Sequence, residues 1–114
     1  MPNDKTGTWK ITAPAPLVAG ACVCALIFWL NLRDMAPTVT AGDSAELSAV
    51  QSTLGIAHSP GYPLFAAAGR MFSAIVPAGN AAYKTNLFSV LLSACAAALL
   101  YTILFRWSRS VWLA

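Results

Sequence analysis

Charge is what this chain has least of. Seven of its 114 residues are Lys or Arg, four are Asp or Glu and one is His, so charged residues make up 10% of the sequence. Ordinary soluble domains carry about 25%. This is too little charge to coat a water-facing surface, which excludes a free soluble domain. Disorder is excluded from the other side, because disordered chains are poor in apolar and aromatic residues and this one is 58% hydrophobic. The basic residues are scattered and form no stripe, so a nucleic-acid reader is excluded as well. Cysteine is scarce, and Cys22, Cys24 and Cys95 all lie in apolar runs. They read as small packing side chains, since a disulfide framework or metal site wants spaced Cys/His clusters. The class left is a membrane-embedded protein.

Two stretches read as spans. Residues 87–105, LFSVLLSACAAALLYTILF, contain no charge, Pro or Gly, and at about 1.5 Å per residue they reach roughly 28 Å, the thickness of a hydrocarbon core. Arg106, Arg109, Trp107 and Trp112 follow as interface anchors. Residues 17–32, LVAGACVCALIFWLNL, form a shorter span that Ala13 to Pro16 can extend and that Arg33 and Asp34 stop. A signal peptide competes there, because Lys5 and Lys10 precede the apolar run. No small-x-small cleavage site follows it, which favours an uncleaved span. The expected organisation is a cytoplasmic N-terminus (1–16), a first span (17–32), a first extracytoplasmic loop (33–86), a second span (87–105) and a cytoplasmic end (106–114). The loop's Arg33, Arg70 and Lys84 are offset by Asp34, Asp43 and Glu46, while Lys5 and Lys10 precede the first span and Arg106 and Arg109 follow the second, so basic residues are denser outside the loop. The positive-inside rule then puts both termini in the cytoplasm. The closing SVWLA looks like the start of another apolar stretch, which suggests the N-terminal part of a longer polytopic protein. The expected setting is a bacterial inner (plasma) membrane.

The loop is rich in Ala, Leu and aromatics, unlike a flexible polar linker. A helix is expected from about Ala41 to Leu54, capped either by Thr40 with Asp43 or by Asp43 with Glu46. Leu47, Val50 and Leu54 form its stripe, and Gly55 ends it. A second helix is expected from Pro63 to Ile75, stopped by Pro77 and Gly79, with Leu64, Phe65, Ala68, Met71, Phe72 and Ile75 as its apolar face. It is too short to span, and should lie along the membrane surface or pack on the spans.

Three features of the loop could carry chemistry. Asp43 and Glu46 are three apart, so their carboxylates share a helix face and could hold a cation or supply a general base. Acidic residues also favour any helix start, as caps and dipole partners. The run His58–Ser59–Pro60–Gly61–Tyr62–Pro63 reads as a rigid corner. Pro60 and Gly61 fit a type II turn, and Tyr62–Pro63 could be cis. Such a corner would aim His58 and Tyr62, His58 at a phosphate or a proton; it could equally be a plain helix–helix corner. Arg70 could fork onto a phosphate or snorkel to headgroups.

Taken together, GDSAE at 42–46, the HSPGYP corner at 58–63, Gly69–Arg70–Met71–Phe72 and Asn86–Leu87–Phe88–Ser89 resemble the opening of one family. These are the protein O-mannosyltransferase-like membrane proteins formerly called domain of unknown function 2723 (glycosyltransferase family 117), the group of transmembrane protein 260. The resemblance covers roughly residues 33–105. It implies an all-α membrane fold, the N-terminal fragment of a polytopic transferase of the GT-C type, and a sugar moved from a polyprenyl-phosphate donor to a hydroxyl acceptor. It implies Asp43 as the catalytic residue with Glu46 as companion, and His58, Tyr62 and Arg70 as substrate-binding residues. The implied partners are membrane lipids, the lipid-linked donor, the acceptor and the remaining spans, with no nucleic acid. No cofactor or metal site is indicated, a divalent ion being left open, and no G-x-G-x-x-G loop points to a nucleotide donor. Activity is expected of the full-length protein, not of these 114 residues alone. The rival reading is a non-catalytic two-span subunit or transporter fragment in which Asp43 and Glu46 are caps only.

Overall fold

The computed structural model describes the backbone of residues 14–111 and the side chains of residues 16–108. Lys5, Lys10 and Trp112, named above as topology and interface signals, lie outside the described residues, as does the side chain of Arg109. The described chain is four helices with no strand among them: α1 (Pro14–Asp34), α2 (Ser44–Thr53), α3 (Pro63–Ile75) and α4 (Ala81–Val111). The all-α class expected from the sequence holds.

Two helices are long and apolar enough to cross a membrane, over Pro16–Asp34 and Ala81–Ser108. They pack against each other antiparallel. Near one end a Cβ on Gly20 would sit 3.3 Å from the Tyr101 ring; near the other, Asn31 Nδ2 donates to Ser93 Oγ at 3.1 Å. Small residues that let backbones approach, and a polar pair between helices, are the usual adhesives where water supplies no hydrophobic drive. At the loop end of α1, the Arg33 guanidinium lies 5.8 Å from the centroid of the Trp29 ring, a cation–π contact at the stop of the span.

Both helices outrun the apolar stretches that announce them. At about 1.5 Å per residue the 31 residues of α4 reach roughly 46 Å, against a hydrocarbon core of about 30 Å. Its start is set by Asn80, whose Oδ1 accepts the Tyr83 N–H at 2.8 Å, an N-cap seven residues before the apolar run at Leu87. The extra turn and a half carries Lys84, Thr85 and Asn86. Asn86 Nδ2 donates to the Ala36 and Thr38 carbonyls at 2.9 and 3.2 Å, which ties the chain leaving α1 to α4.

The loop helices fold onto that extension. Val50, Ala57 and Ala66 form a small buried core with Leu47 packed against it. Phe65 and Phe72 flank Phe88, with ring centroids 5.6 and 5.3 Å apart, so α3 packs on α2 and α4. The expected bounds of α3 are met. Its expected apolar face is split: Phe65 and Phe72 turn inward with Ala66 and Gly69, while Leu64 (85% exposed), Met71 and Ile75 (80%) point away from the other helices.

Three local expectations are corrected. First, α2 starts at Ser44 rather than Ala41, because Gly42 sits at φ +76°, outside helical space. Neither capping box forms: the Asp43 side chain makes no cap bond, and the Ser44 hydroxyl takes the Thr40 N–H at 3.2 Å. Second, the left-handed residue closing α2 is Leu54 (φ 55°), not Gly55. The N–H groups of Leu54 and Gly55 both return to the Val50 carbonyl, a helix stop of Schellman type. Leu54 is exposed and lies off the packed stripe. Third, the corner turn spans His58–Gly61, with Gly61 N–H to His58 O at 2.8 Å, and the cis bond is Ser59–Pro60 rather than Tyr62–Pro63. A cis proline at the third position defines a type VI turn, not type II. Gly61 follows at φ +87°, where other residues are strained.

Candidate functional site at the loop corner

The first turn of α2 and the corner after it bring three titratable side chains together. Glu46 holds His58 twice: Oε1 accepts the His58 backbone N–H at 2.6 Å and Oε2 lies 2.9 Å from the ring Nδ1. On the other side of the ring, His58 Nε2 is 3.9 Å from Asp43 Oδ2. Tyr62 closes the corner with its ring edge-on to the imidazole, centroids 5.7 Å apart. The charged groups are open to solvent, with side-chain exposures of 45% for His58, 65% for Asp43 and 40% for Glu46.

The electrostatics follow from the hydrogen bonds. The bond from the His58 backbone N–H, then that from the ring, holds the Glu46 carboxyl below its ordinary value of 4.5. The Glu46 hydrogen bond, then its charge, lifts the His58 imidazole above its ordinary 6.5, with Asp43 adding a smaller push. The arrangement is a carboxylate–histidine pair beside a second carboxylate whose side chain makes no cap bond. The one-turn spacing of Asp43 and Glu46 puts both on the side of α2 that faces the corner. One ligand atom from each of Asp43, Glu46 and His58 lies within 4.8 Å of the others, so these residues could hold a cation. Doing so would compete with the Glu46–His58 bonds, which already engage Nδ1 and leave Nε2 facing Asp43 at 3.9 Å.

Arg70 is not in this cluster. It sits on α3, and its Nη1 donates to the Ser52 carbonyl at 2.9 Å. It lines a cavity of about 160 Å³ with Ser48, Gln51, Ser52, Ser73, Lys84 and Thr85. Successive residues of an α-helix turn by about 100°, so Ser48, Gln51 and Ser52 fall on the face of α2 opposite Glu46. The sequence places Arg70 among the substrate residues; the structure places Asp43, Glu46, His58 and Tyr62 at one site and Arg70 at another. Of Arg70's neighbours in the cavity, the sequence marked only Lys84, as a loop charge; Gln51 carried no signal there.

Residues 43–113, well over half the chain, match the protein family described as the protein O-mannosyl-transferase TMEM260 N-terminal domain. The chain belongs to this TMEM260 family. The matched segment opens at Asp43 and contains every residue of both sites. Over 109 residues, 96% of its length, the chain is 38% identical to the mouse protein O-mannosyl-transferase TMEM260. Over 78 residues, 67% of its length, it is 36% identical to the protein O-mannosyl-transferase tmem260 of Dictyostelium discoideum. These alignments take in 15% and 10% of the two relatives, so the chain spans a small N-terminal share of a TMEM260-type protein. Both organisms are eukaryotes, which gives no support to the bacterial setting expected from the sequence. No solved structure matches the chain.

Proposed function

We propose that this chain supplies the catalytic corner of a membrane glycosyltransferase that moves a mannose-like sugar from a polyprenyl-phosphate donor to a hydroxyl on a protein or other acceptor. The corner lies on the far side of the membrane from two cytoplasmic termini. Asp43 Oδ2 takes the proton as the acceptor oxygen bonds to the anomeric carbon. The bond from that carbon to the phosphate oxygen breaks, and the lipid phosphate leaves with the electron pair. A single displacement of this kind inverts the anomeric centre. Glu46 keeps His58 protonated, and the imidazolium offsets charge near Asp43 and on the leaving phosphate. Tyr62 offers a ring and a hydroxyl at the edge of the same corner. The remaining spans of the longer protein complete the donor and acceptor sites, and no cofactor enters the step.

The observation that carries this reading is the state of Asp43. It occupies the N-cap position yet makes no side-chain cap bond, and its carboxylate instead faces His58. The relatives' names supply the transferase class. The test is sugar transfer by the full-length protein carrying Asp43→Asn. Asn keeps the shape and caps helices as well as Asp, so the melting temperature stays within a degree or two. Turnover drops by about 10²–10⁴, the range for losing general acid–base catalysis. Near-normal turnover would reduce Asp43 to a helix-start residue.

A further inference from the structure

Among the described residues, two that are not glycine sit at positive φ, Leu54 and Tyr62. Leu54 (φ 55°, ψ 36°) closes α2, and its N–H returns to the Val50 carbonyl, so the helix stop itself accounts for the left-handed turn. Tyr62 (φ 45°, ψ 49°) opens α3, and no such account covers it. A residue at a helix N-cap ordinarily takes extended backbone and offers a side-chain acceptor; Tyr62 does neither. A following proline also pushes a residue toward extended backbone, and Pro63 follows. A bulky side chain in the left-handed region is opposed by its own Cβ. Three local preferences therefore run against this conformation. Burial does not offset them, because Tyr62 is 41% exposed and lies outside the buried core.

What the conformation achieves is a ring contact. The chain turns back through Gly61 (φ +87°) and Tyr62. The Tyr62 ring comes to rest against the imidazole of His58, with centroids 5.7 Å apart and planes at 71°. Glu46 takes the backbone N–H and Nδ1 of His58, which fixes one edge of the imidazole. The far edge has no comparable hold. Nε2 lies 3.9 Å from Asp43 Oδ2, beyond hydrogen-bond length. The torsion that turns an imidazole about its stem is broad, so a ring held at Nδ1 alone can swing Nε2 away from Asp43. Strain retained at a residue that touches a candidate site points to a geometry that is used there.

We propose that Tyr62 is a positioning residue: its ring, folded back by a left-handed backbone, braces the His58 imidazole between Glu46 and Asp43. The role belongs to the ring and differs from the direct substrate contact that the family resemblance implies. Tyr62 acts on the reaction through His58, which faces the proposed base. The consequence for turnover rests on the transfer reading above; the consequence for the state of His58 does not.

The experiment compares Tyr62→Gly and Tyr62→Phe in the full-length protein. The readouts are thermal melt, kcat and KM for sugar transfer, and titration of the His58 ring carbon. Glycine adopts the left-handed backbone freely and removes the ring. Tyr62→Gly is expected to melt no lower than the parent, because the relief of backbone strain offsets the lost ring contact. Its kcat is expected to fall about 10- to 100-fold, the scale for misplacing a catalytic group by about an ångström, with KM changed less than about twofold. Its His58 midpoint is expected to move down toward the ordinary 6.5 as Nε2 leaves Asp43. Tyr62→Phe puts the ring back without the hydroxyl, and recovers most of the lost turnover and the parent midpoint. A raised KM at unchanged kcat in Tyr62→Gly, or a Tyr62→Phe no better than Tyr62→Gly, makes Tyr62 a substrate contact and overturns the proposal. A lowered melting temperature in Tyr62→Gly makes the ring a packing element and overturns it as well. An unmoved His58 midpoint in Tyr62→Gly sinks it whatever turnover does. If Asp43→Asn keeps its turnover while Tyr62→Gly moves the midpoint, the transfer reading fails and the positioning role stands.

Discussion

Glu46 grips His58 at two points across twelve residues of sequence, taking its backbone N–H at 2.6 Å and lying 2.9 Å from its ring nitrogen. The double contact fixes both the path of the chain into the corner and the tilt of the imidazole. One carboxylate thereby does the work of a turn residue and of an electrostatic partner.

The first prediction concerns pH and the corner itself. A raised histidine contributes stability in full below its ordinary 6.5, and the contribution is lost as pH climbs through the higher folded value. A lowered glutamate contributes in full above its ordinary 4.5, and the contribution is lost as pH falls through the lower folded value. The corner is therefore held best between 4.5 and 6.5 and loosens on both sides. His58 is the one histidine in the chain, so its ring carbon resonance can be followed without ambiguity. The titration midpoint is expected above the ordinary 6.5 in the parent and is expected to move back toward it in Glu46→Gln. An unmoved midpoint in that variant shows that the pair does not form.

The same pair sets an alkaline limit to turnover in the proposed mechanism. As His58 loses its proton, the positive charge facing Asp43 disappears and transfer slows. Glu46→Gln moves this limb of the pH profile toward lower pH while retaining most of the activity at pH 6, a smaller loss than Asp43→Asn. A limb that stays in place assigns it to another group.

Gly69 provides a prediction about packing. Its Cα lies against the Gln51 amide, so Gly69→Ala forces that amide off Thr85 or pushes α3 away from α2. Overpacking of this kind costs about 1–3 kcal/mol, read as a lower melting temperature. Shortening the partner relieves the clash, so Gly69→Ala with Gln51→Ala destabilises less than the sum of the two single changes. Strict additivity would mean that the two residues do not share the space.

The parts of the fold legible in the sequence were those written by backbone chemistry or by long apolar runs. Pro63 at the first position and Pro77 beyond the end bracketed α3, and the uncharged run 87–105 announced α4. Two side-chain roles were not read. The cap that starts α4 early, Asn80 to Tyr83, is local but precedes the apolar run that drew the helix boundary, and Glu46 left its expected capping role for a residue twelve positions away. At the site, the one-turn spacing of Asp43 and Glu46 was readable and so was the corner at His58. That Arg70 turns to the opposite face of α2 depended on helix phase and on the α2–α3 crossing, which spacing along the chain does not encode. Gln51 was missed for the same reason, since its meaning comes from Gly69 and Thr85, on two other helices.

The last prediction concerns which side of the membrane the corner occupies. Because α1 and α4 are antiparallel, the end of α4 near Ser108 and the loop near Ala78 lie at opposite ends of the pair. The low density of Lys and Arg in the loop, three in residues 33–86 against four in the shorter flanks 1–16 and 106–114, argues that the loop was the segment moved across. In a version of the protein freed of Cys22, Cys24 and Cys95, a single cysteine at Ala78→Cys is expected to react with an impermeant maleimide from the non-cytoplasmic face. One at Ser108→Cys reacts only after the membrane is opened. Ala78 is the safer loop site because it is exposed, whereas neighbouring Gly79 sits at φ +87° under the Tyr83 ring. Reversed labelling puts Asp43 and His58 in the cytoplasm and ends the proposal of an extracytoplasmic transfer site. Labelling of both positions from one face means that α1 and α4 do not both cross, and the antiparallel pair is then a packed hairpin and not two spans.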